Sequence, residues 1–207
     1  MKYRATISIF LLCIFVYVLE LVFPQTINYL ALSSKNILNA PWSLITYMFV
    51  HSLNSLSHIF YNMFALLLFG IILESVIGSK RFLMIYFASG IASGLVGLLF
   101  YSSIIGASGA IFGILGTLGI LRPRLVVWVM GIPMPMLVAL VIWALLDFIG
   151  IFGSDNVAHL GHLAGLGTGV VYGFLLRPKY GEKKKPKIKI LSEDEIKKWE
   201  NEWMKSG

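Results

Sequence analysis

The chain has 207 residues, of which 57% are hydrophobic and only 13% charged, and its formal net charge is +7. That balance is too apolar for a soluble domain of this size and suits a chain whose solvent is largely lipid, so an integral membrane protein is expected. The single cysteine, Cys13, has no partner, which excludes a disulfide framework and a thiolate metal cluster.

Ile7 to Phe23 is an apolar run behind Lys2 and Arg4; it is too long for a signal peptide and has no clear small-residue cleavage site, so it reads as the first transmembrane helix. Pro24 to Leu56 is polar and then mixed, with Pro41-Trp42 leading into a partly apolar segment, and is expected to form a substructured loop lying in the membrane interface. His58 to Gly78, Phe82 to Tyr101, Ile105 to Leu121, Leu125 to Phe152 and Val157 to Leu176 follow. Each approaches the roughly 20 residues that cross about 30 Å of hydrocarbon. The expected fold is all-α, a polytopic six-helix bundle over residues 1–176 with a long loop between its first two helices. Residues 177–207 form a basic tail.

All but Lys35 of the 17 Lys and Arg residues fall at the start of the chain, after the second, fourth and sixth runs, or in the tail. The positive-inside rule then places both termini in the cytoplasm, in the cell membrane, and agrees with an even helix count. The positive charge is a topology signal, so no nucleic-acid partner is expected. The tail carries Lys183, Lys184, Lys185, Lys187 and Lys189, then a capping-box pattern at Ser192 to Glu195 and a stripe of Ile196, Trp199 and Trp203. It fits either a short helix on an anionic leaflet or a solvated tail.

The fourth run places one serine, Ser108, at the end of a stripe of glycines at 109, 113, 116 and 119, a face bare enough for another backbone to pack closely. A lone hydroxyl in a membrane helix is ordinarily structural. Counting 1.5 Å per residue back from the basic inner edge puts Ser108 about 21 Å up and His162 about 22 Å up. Asn62 and His58, four apart on one helix face, lie just above. Gly161, Ala164, Gly165, Gly167, Gly169 and Gly173 crowd the helix around His162, so the two helices can approach within reach of a serine–imidazole hydrogen bond. A neutral imidazole there would take the serine proton during attack and return it to a leaving amine. Asn62, His58 and the Ser108 amide are candidates to stabilise the oxyanion, with Gly106 part of the same oxyanion or substrate-binding set.

These residues resemble the rhomboid intramembrane serine proteases over about Trp42 to Leu176. The matching pieces are Gly-Ala-Ser108-Gly, His58-x-x-x-Asn62, Glu74-x-x-x-Gly78 and His162-x-x-Gly165-x-x-x-Gly169, in order along six helices. The resemblance implies a Ser108–His162 dyad without a carboxylate, water reaching the site from the outer face, and cleavage of transmembrane protein substrates within the bilayer; no cofactor is expected. It also implies that the first loop lies partly in the outer leaflet. Two positions depart from the pattern: Ser43 follows Trp42 where the family often has Arg, and Phe112 stands where an aromatic with a hydroxyl is common. His159 competes with His162 for the role of base, and the glycines at +3 and +7 select His162.

A His-x-x-His pair can also hold zinc, with His51 and His58 as possible additions, but no inward carboxylate is expected at the same depth, and no metal is assigned. Glu74 is expected to bond backbone or loop amides at the inner end of its helix, and Glu20 is given no role. Asp147 lies toward the outer end of the fifth run, and the turn from Gly153 to Asn156 could gate the site. The rival readings are a non-proteolytic membrane protein that binds transmembrane clients and a small transporter. A transporter would more naturally show two repeat-related halves, and none is visible.

Overall fold

A computed structural model of the chain describes residues 3–129, 131–155, 157–182 and 192–203. Asn156 and the lysines at 183, 184, 185, 187 and 189, to which the sequence reading assigned parts of the turn and of the basic tail, lie outside the described residues.

Six apolar helices form the body: α1 (Arg4–Val22), α2 (Leu56–Ile77), α3 (Ser79–Leu98), α4 (Ser108–Leu121), α5 (Met136–Gly150) and α6 (His159–Tyr180). Of these, α1, α2, α3 and α6 are long and apolar enough to cross a membrane, whereas α4 and α5 are shorter. A further helix, α7 (Glu193–Trp203), opens on the expected capping box. Ser192 N donates to Glu195 Oε2 at 3.0 Å, and Glu195 N donates back to Ser192 Oγ at 3.3 Å.

In α1, Ala5, Ile9, Cys13, Val16 and Glu20 recur every three or four residues and turn inward, while Leu11, Leu12, Phe15, Val18 and Val22 stay exposed on the lipid side. The first amides of a helix have no intrahelical acceptor, and Glu74 of α2 supplies one for α1. Its carboxylate accepts from Ala5 N at 3.0 Å, Thr6 N at 2.9 Å and Thr6 Oγ1 at 2.6 Å, and from Ser79 Oγ at 2.6 Å. A negative charge at a helix N-terminus is also favoured by the helix dipole. This single side chain therefore ties together the adjoining ends of α1, α2 and α3, the structural role expected for it.

The centre of the bundle is α4, walled by α3 on one side and α6 on the other. On α3 the inward residues Ser89 and Ser93 lie against Gly113 and Gly109 of α4 closely enough that any side chain at either glycine would run into them. On the opposite face a side chain at Gly165 or Gly169 of α6 would run into the backbone carbonyls of Gly109 and Gly113. Thr117 Oγ1 spans the same seam, donating to Gly169 O at 2.9 Å.

Two short antiparallel ladders were not anticipated. β1 (Leu32–Ser33) pairs with β2 (Ser103–Ile104), stapling the first loop to the segment that leads into α4. The loop is substructured as expected: Trp42 Nε1 donates to Tyr29 O at 2.9 Å, Thr46 Oγ1 to Leu30 O at 2.8 Å, and Tyr47 Oη to Gly90 O at 2.6 Å. The second ladder, β3 (Val126–Val129) with β4 (Ile132–Pro135), corrects the expected helix from Leu125 to Phe152, which begins only at Met136. Pro133 and Pro135 bring no backbone donor and bias their predecessors toward extended backbone, and Val126, Val127 and Val129 favour strand. The fourth run is corrected in the same way, from Ile105 to a start at Ser108.

The seam makes a testable claim. Gly165→Ala must separate two backbones and is expected to destabilise by about 1–3 kcal/mol. Gly167→Ala, on the same helix with open space around it, is expected to be neutral or to gain helix propensity of up to about 1 kcal/mol. Thermal unfolding of both variants in detergent measures the difference, and equal midpoints would disprove the close approach.

Candidate active site

The serine is the first residue of α4, directly after a turn at Gly106, where φ is +115°. Gly106 N donates to Tyr47 O at 2.9 Å, so the first loop fixes the turn that presents Ser108. Ile111 is the first residue whose amide reaches back in the helical pattern, to Ala107 O at 3.0 Å. The preceding amides belong to the unpaired first turn and surround the serine with donors.

His162 lies one turn into α6, and its Nε2 is 2.7 Å from Ser108 Oγ. Two contacts hold the ring. Phe112 stacks on it at a centroid distance of 4.5 Å and an interplanar angle of 9°, so the phenyl ring serves without a hydroxyl. On the far side Asp147 Oδ1 stands 3.0 Å from His162 Nδ1. This corrects the expectation that no carboxylate shares the depth of the histidines. The missed signal was the lone carboxylate of the apolar α5 sequence, at the same end of the bundle as Ser108 and His162.

His159 does not reach the serine. Its Nδ1 is 2.5 Å from Asp147 Oδ1, and its Nε2 is 3.1 Å from Asp155 Oδ1. Among the described residues, Asp147, His159 and His162 form the one group whose donor atoms lie close enough for a metal ion, all within 4.8 Å of one another. Each is already engaged in a hydrogen bond, and together they are one ligand short of a closed tetrahedral zinc site.

The other site candidates gather beside Ser108. A Cβ built on Gly106 would fall 2.8 Å from His58 Nε2 and 3.8 Å from Ser108 Oγ, so the absent side chain leaves a space bounded by both. Ser52 N donates to His58 Nδ1 at 3.2 Å. In the neutral ring the proton then sits on Nε2, the nitrogen that faces this space. Asn62 is buried one turn along α2 and donates through Nδ2 to His58 O at 2.8 Å, a contact that bears on His58 and not on the serine.

His51, in the loop before α2, is fully buried with its ring 5.3 Å from that of His58. Burial first, and the neighbouring His58 second, push its pKa down to about 4, so it is a neutral ring at physiological pH. Its amide donates to Glu20 Oε2 at 3.4 Å, which places Glu20 against the loop.

Apolar helices, four of them long enough to cross a membrane, packed through glycine and with a serine and an imidazole in contact at the start of α4, define a multi-pass membrane protein. Residues 38–179 match the family model described as the Rhomboid domain, and the chain belongs to the rhomboid family. It is 35% identical over 147 residues to RHOMBOID-like protein 4 of Arabidopsis thaliana, covering 68% of this chain and 36% of that protein. It is 37% identical over 150 residues to RHOMBOID-like protein 6, mitochondrial, of the same plant, covering 67% and 44%. It is 26% identical over 178 residues to Rhomboid protease GlpG of Haemophilus influenzae, covering 83% and 90%. The chain thus spans less than half the length of the two plant relatives.

Gly106 can be tested against Gly78, which also has positive φ but nothing within 4 Å of a built Cβ. An alanine at either costs about 1–3 kcal/mol of backbone strain. Gly106→Ala also pushes on the His58 ring and is expected to lower the thermal midpoint further than Gly78→Ala. Equal losses would mean that the space beside Ser108 is not confined.

Proposed function

We propose that this chain is an intramembrane serine endopeptidase that cleaves transmembrane segments of other membrane proteins. The observation that carries the reading is the 2.7 Å hydrogen bond between Ser108 Oγ and His162 Nε2. Membership of the rhomboid family supports it, as do the Arg and Lys positions, which favour cytoplasmic termini and a site near the outer leaflet of the cell membrane.

His162 Nε2 takes the Ser108 proton as Oγ attacks the scissile carbonyl carbon. The oxyanion of the tetrahedral intermediate is met by His58 Nε2–H and the Ser108 amide, with Asn62 fixing the helix turn that carries His58 and Gly106 leaving room for the carbonyl. His162 then gives the proton to the leaving amine, and water, activated by the same imidazole, releases the acyl group. No cofactor takes part.

The depth of the site follows from the length of α4. Its 14 residues cover about 21 Å, short of the roughly 30 Å of a bilayer core. This length supports a Ser108 below the membrane surface, at a helix end that water can reach. A substrate helix must unwind to expose a peptide bond, because its backbone groups are satisfied internally in lipid, and segments with helix-breaking or small residues are the expected targets.

In liposomes, wild-type protein is expected to cleave a reporter transmembrane segment, while Ser108→Ala and His162→Ala leave it intact with the fold retained. His159→Ala should keep substantial turnover, and Asn62→Ala should slow it by up to about 100-fold. Cleavage by Ser108→Ala at the wild-type rate would end this reading.

A further inference from the structure

We propose that the groove between the start of α3 and the end of α6 binds an anionic phospholipid, with the phosphate held by Lys80 and Arg81 and the first part of an acyl chain laid along Met84, Ile85, Tyr172 and Leu176. This is the end of the bundle opposite Ser108, since α6 carries the chain about 27 Å from His162 to Tyr180. Such a site holds whether or not the chain is a hydrolase.

The groove encloses about 300 Å³ and is open to the outside, at the lower end of the roughly 300–1,000 Å³ range of small-ligand sites. Its residues are ordered by polarity. Lys80 and Arg81, both exposed, stand in the first turn of α3, and Met84 and Ile85 follow one turn, about 6 Å, toward the middle of the bundle. On α6, Tyr172 and Leu176 are half-buried and four apart, so they share one face. Cations at the helix end with apolar side chains one turn deeper match the order of headgroup and acyl chain in a phospholipid.

The two cations are held in place but not neutralised. Arg81 Cζ lies 5.3 Å from the centroid of the Tyr180 ring, and Lys179 Nζ lies 5.5 Å from the same centroid, both within cation–π range. Tyr180 is itself fixed, because Arg122 at the end of α4 donates through Nη1 to its carbonyl and to Leu121 O. An aromatic face steadies a guanidinium without using its N–H donors, which leaves the fork of Arg81 for two oxygens of one phosphate. Among the described residues, neither Lys80 nor Arg81 meets a carboxylate within ion-pair distance. The acid nearest to them in sequence, Glu74, is taken up by Ala5, Thr6 and Ser79. Basic pockets between transmembrane helices are where anionic headgroups bind. A free phosphate would answer the cations alone, whereas the apolar residues beside them call for a phosphate with a chain attached. The positive-inside expectation makes this the inner leaflet.

The test uses the full chain in a neutral detergent, stripped of lipid, with native mass spectrometry and thermal midpoints as readouts. Palmitoyl-oleoyl phosphatidylglycerol is expected to stay bound as a single copy and to raise the midpoint. Phosphatidylcholine with the same chains, and glycerol 1-phosphate, are expected to do neither. Lys80→Gln and Arg81→Gln should each weaken binding about fivefold and the double variant about 30-fold. Arg4→Gln/Arg124→Gln removes two exposed cations from the same end but away from the groove, and should bind as wild type does. In wild-type protein, a phosphatidylglycerol with a diazirine in its acyl chain is expected to label the peptides carrying Met84 or Leu176, a result that needs no variant to fold. The site is overturned if phosphatidylcholine binds equally, if Lys80→Gln/Arg81→Gln binds as wild type, if the Arg4→Gln/Arg124→Gln control loses as much, or if labelling falls only elsewhere. A midpoint rise with glycerol 1-phosphate equal to that with the lipid would make it a free-phosphate site and end the lipid assignment.

Discussion

Everything at the Ser108 end of this molecule depends on the approach of two backbones. In lipid there is no hydrophobic driving force between helices, and association rests on van der Waals packing and a few polar contacts. The glycines at 109, 113, 165 and 169 let α4 and α6 meet carbonyl against Cα, a distance no pair of helices with side chains at those positions can reach. His162 sits one turn from Gly165 on α6, and Ser108 beside Gly109 on α4, so the seam sets the 2.7 Å between their reacting atoms. Because about 1 Å of misplacement can cost on the order of 100-fold in rate, the packing and the chemistry proposed for it are one constraint.

Two buried carboxylates show how differently the same group can be used in one bundle. Glu74 accepts two backbone amides and two hydroxyls where α1, α2 and α3 meet, a full shell of donors that locks helices together. Asp147 meets two imidazoles and no backbone amide among the described contacts, at the opposite end of the bundle, beside the serine. The first arrangement holds three helix ends together. The second leaves the His162 ring between a carboxylate and the Ser108 hydroxyl.

Much of this was legible in the sequence. Apolar run lengths give an all-α membrane bundle, the glycine spacings single out the α4–α6 seam, and depth counting puts Ser108 and His162 level before any contact is known. Glu74 could be read as a structural acceptor because a carboxylate near a helix end has few other uses. Asp147 was not legible as a partner of His162. Its contact depends on the rotation of α5 about its own axis, and an apolar sequence facing lipid on one side and apolar protein on the other carries little periodic signal of that rotation. The β3–β4 hairpin was missed for a related reason: hydropathy alone does not separate a short apolar ladder from the start of a helix, and the prolines at 133 and 135 were the better signal. The tautomer of His58 could come only from the structure, since it hangs on the single donor Ser52 N.

The measurement that bears most directly on the account is covalent labelling of the folded protein in detergent by a fluorophosphonate, followed by mass spectrometry of the modified peptide. A serine activated by the imidazole across the α4–α6 seam predicts a single adduct, on Ser108, in the wild-type chain. An adduct on another serine, or none in protein shown by its thermal transition to be folded, would contradict the claim that this close packing creates a nucleophile.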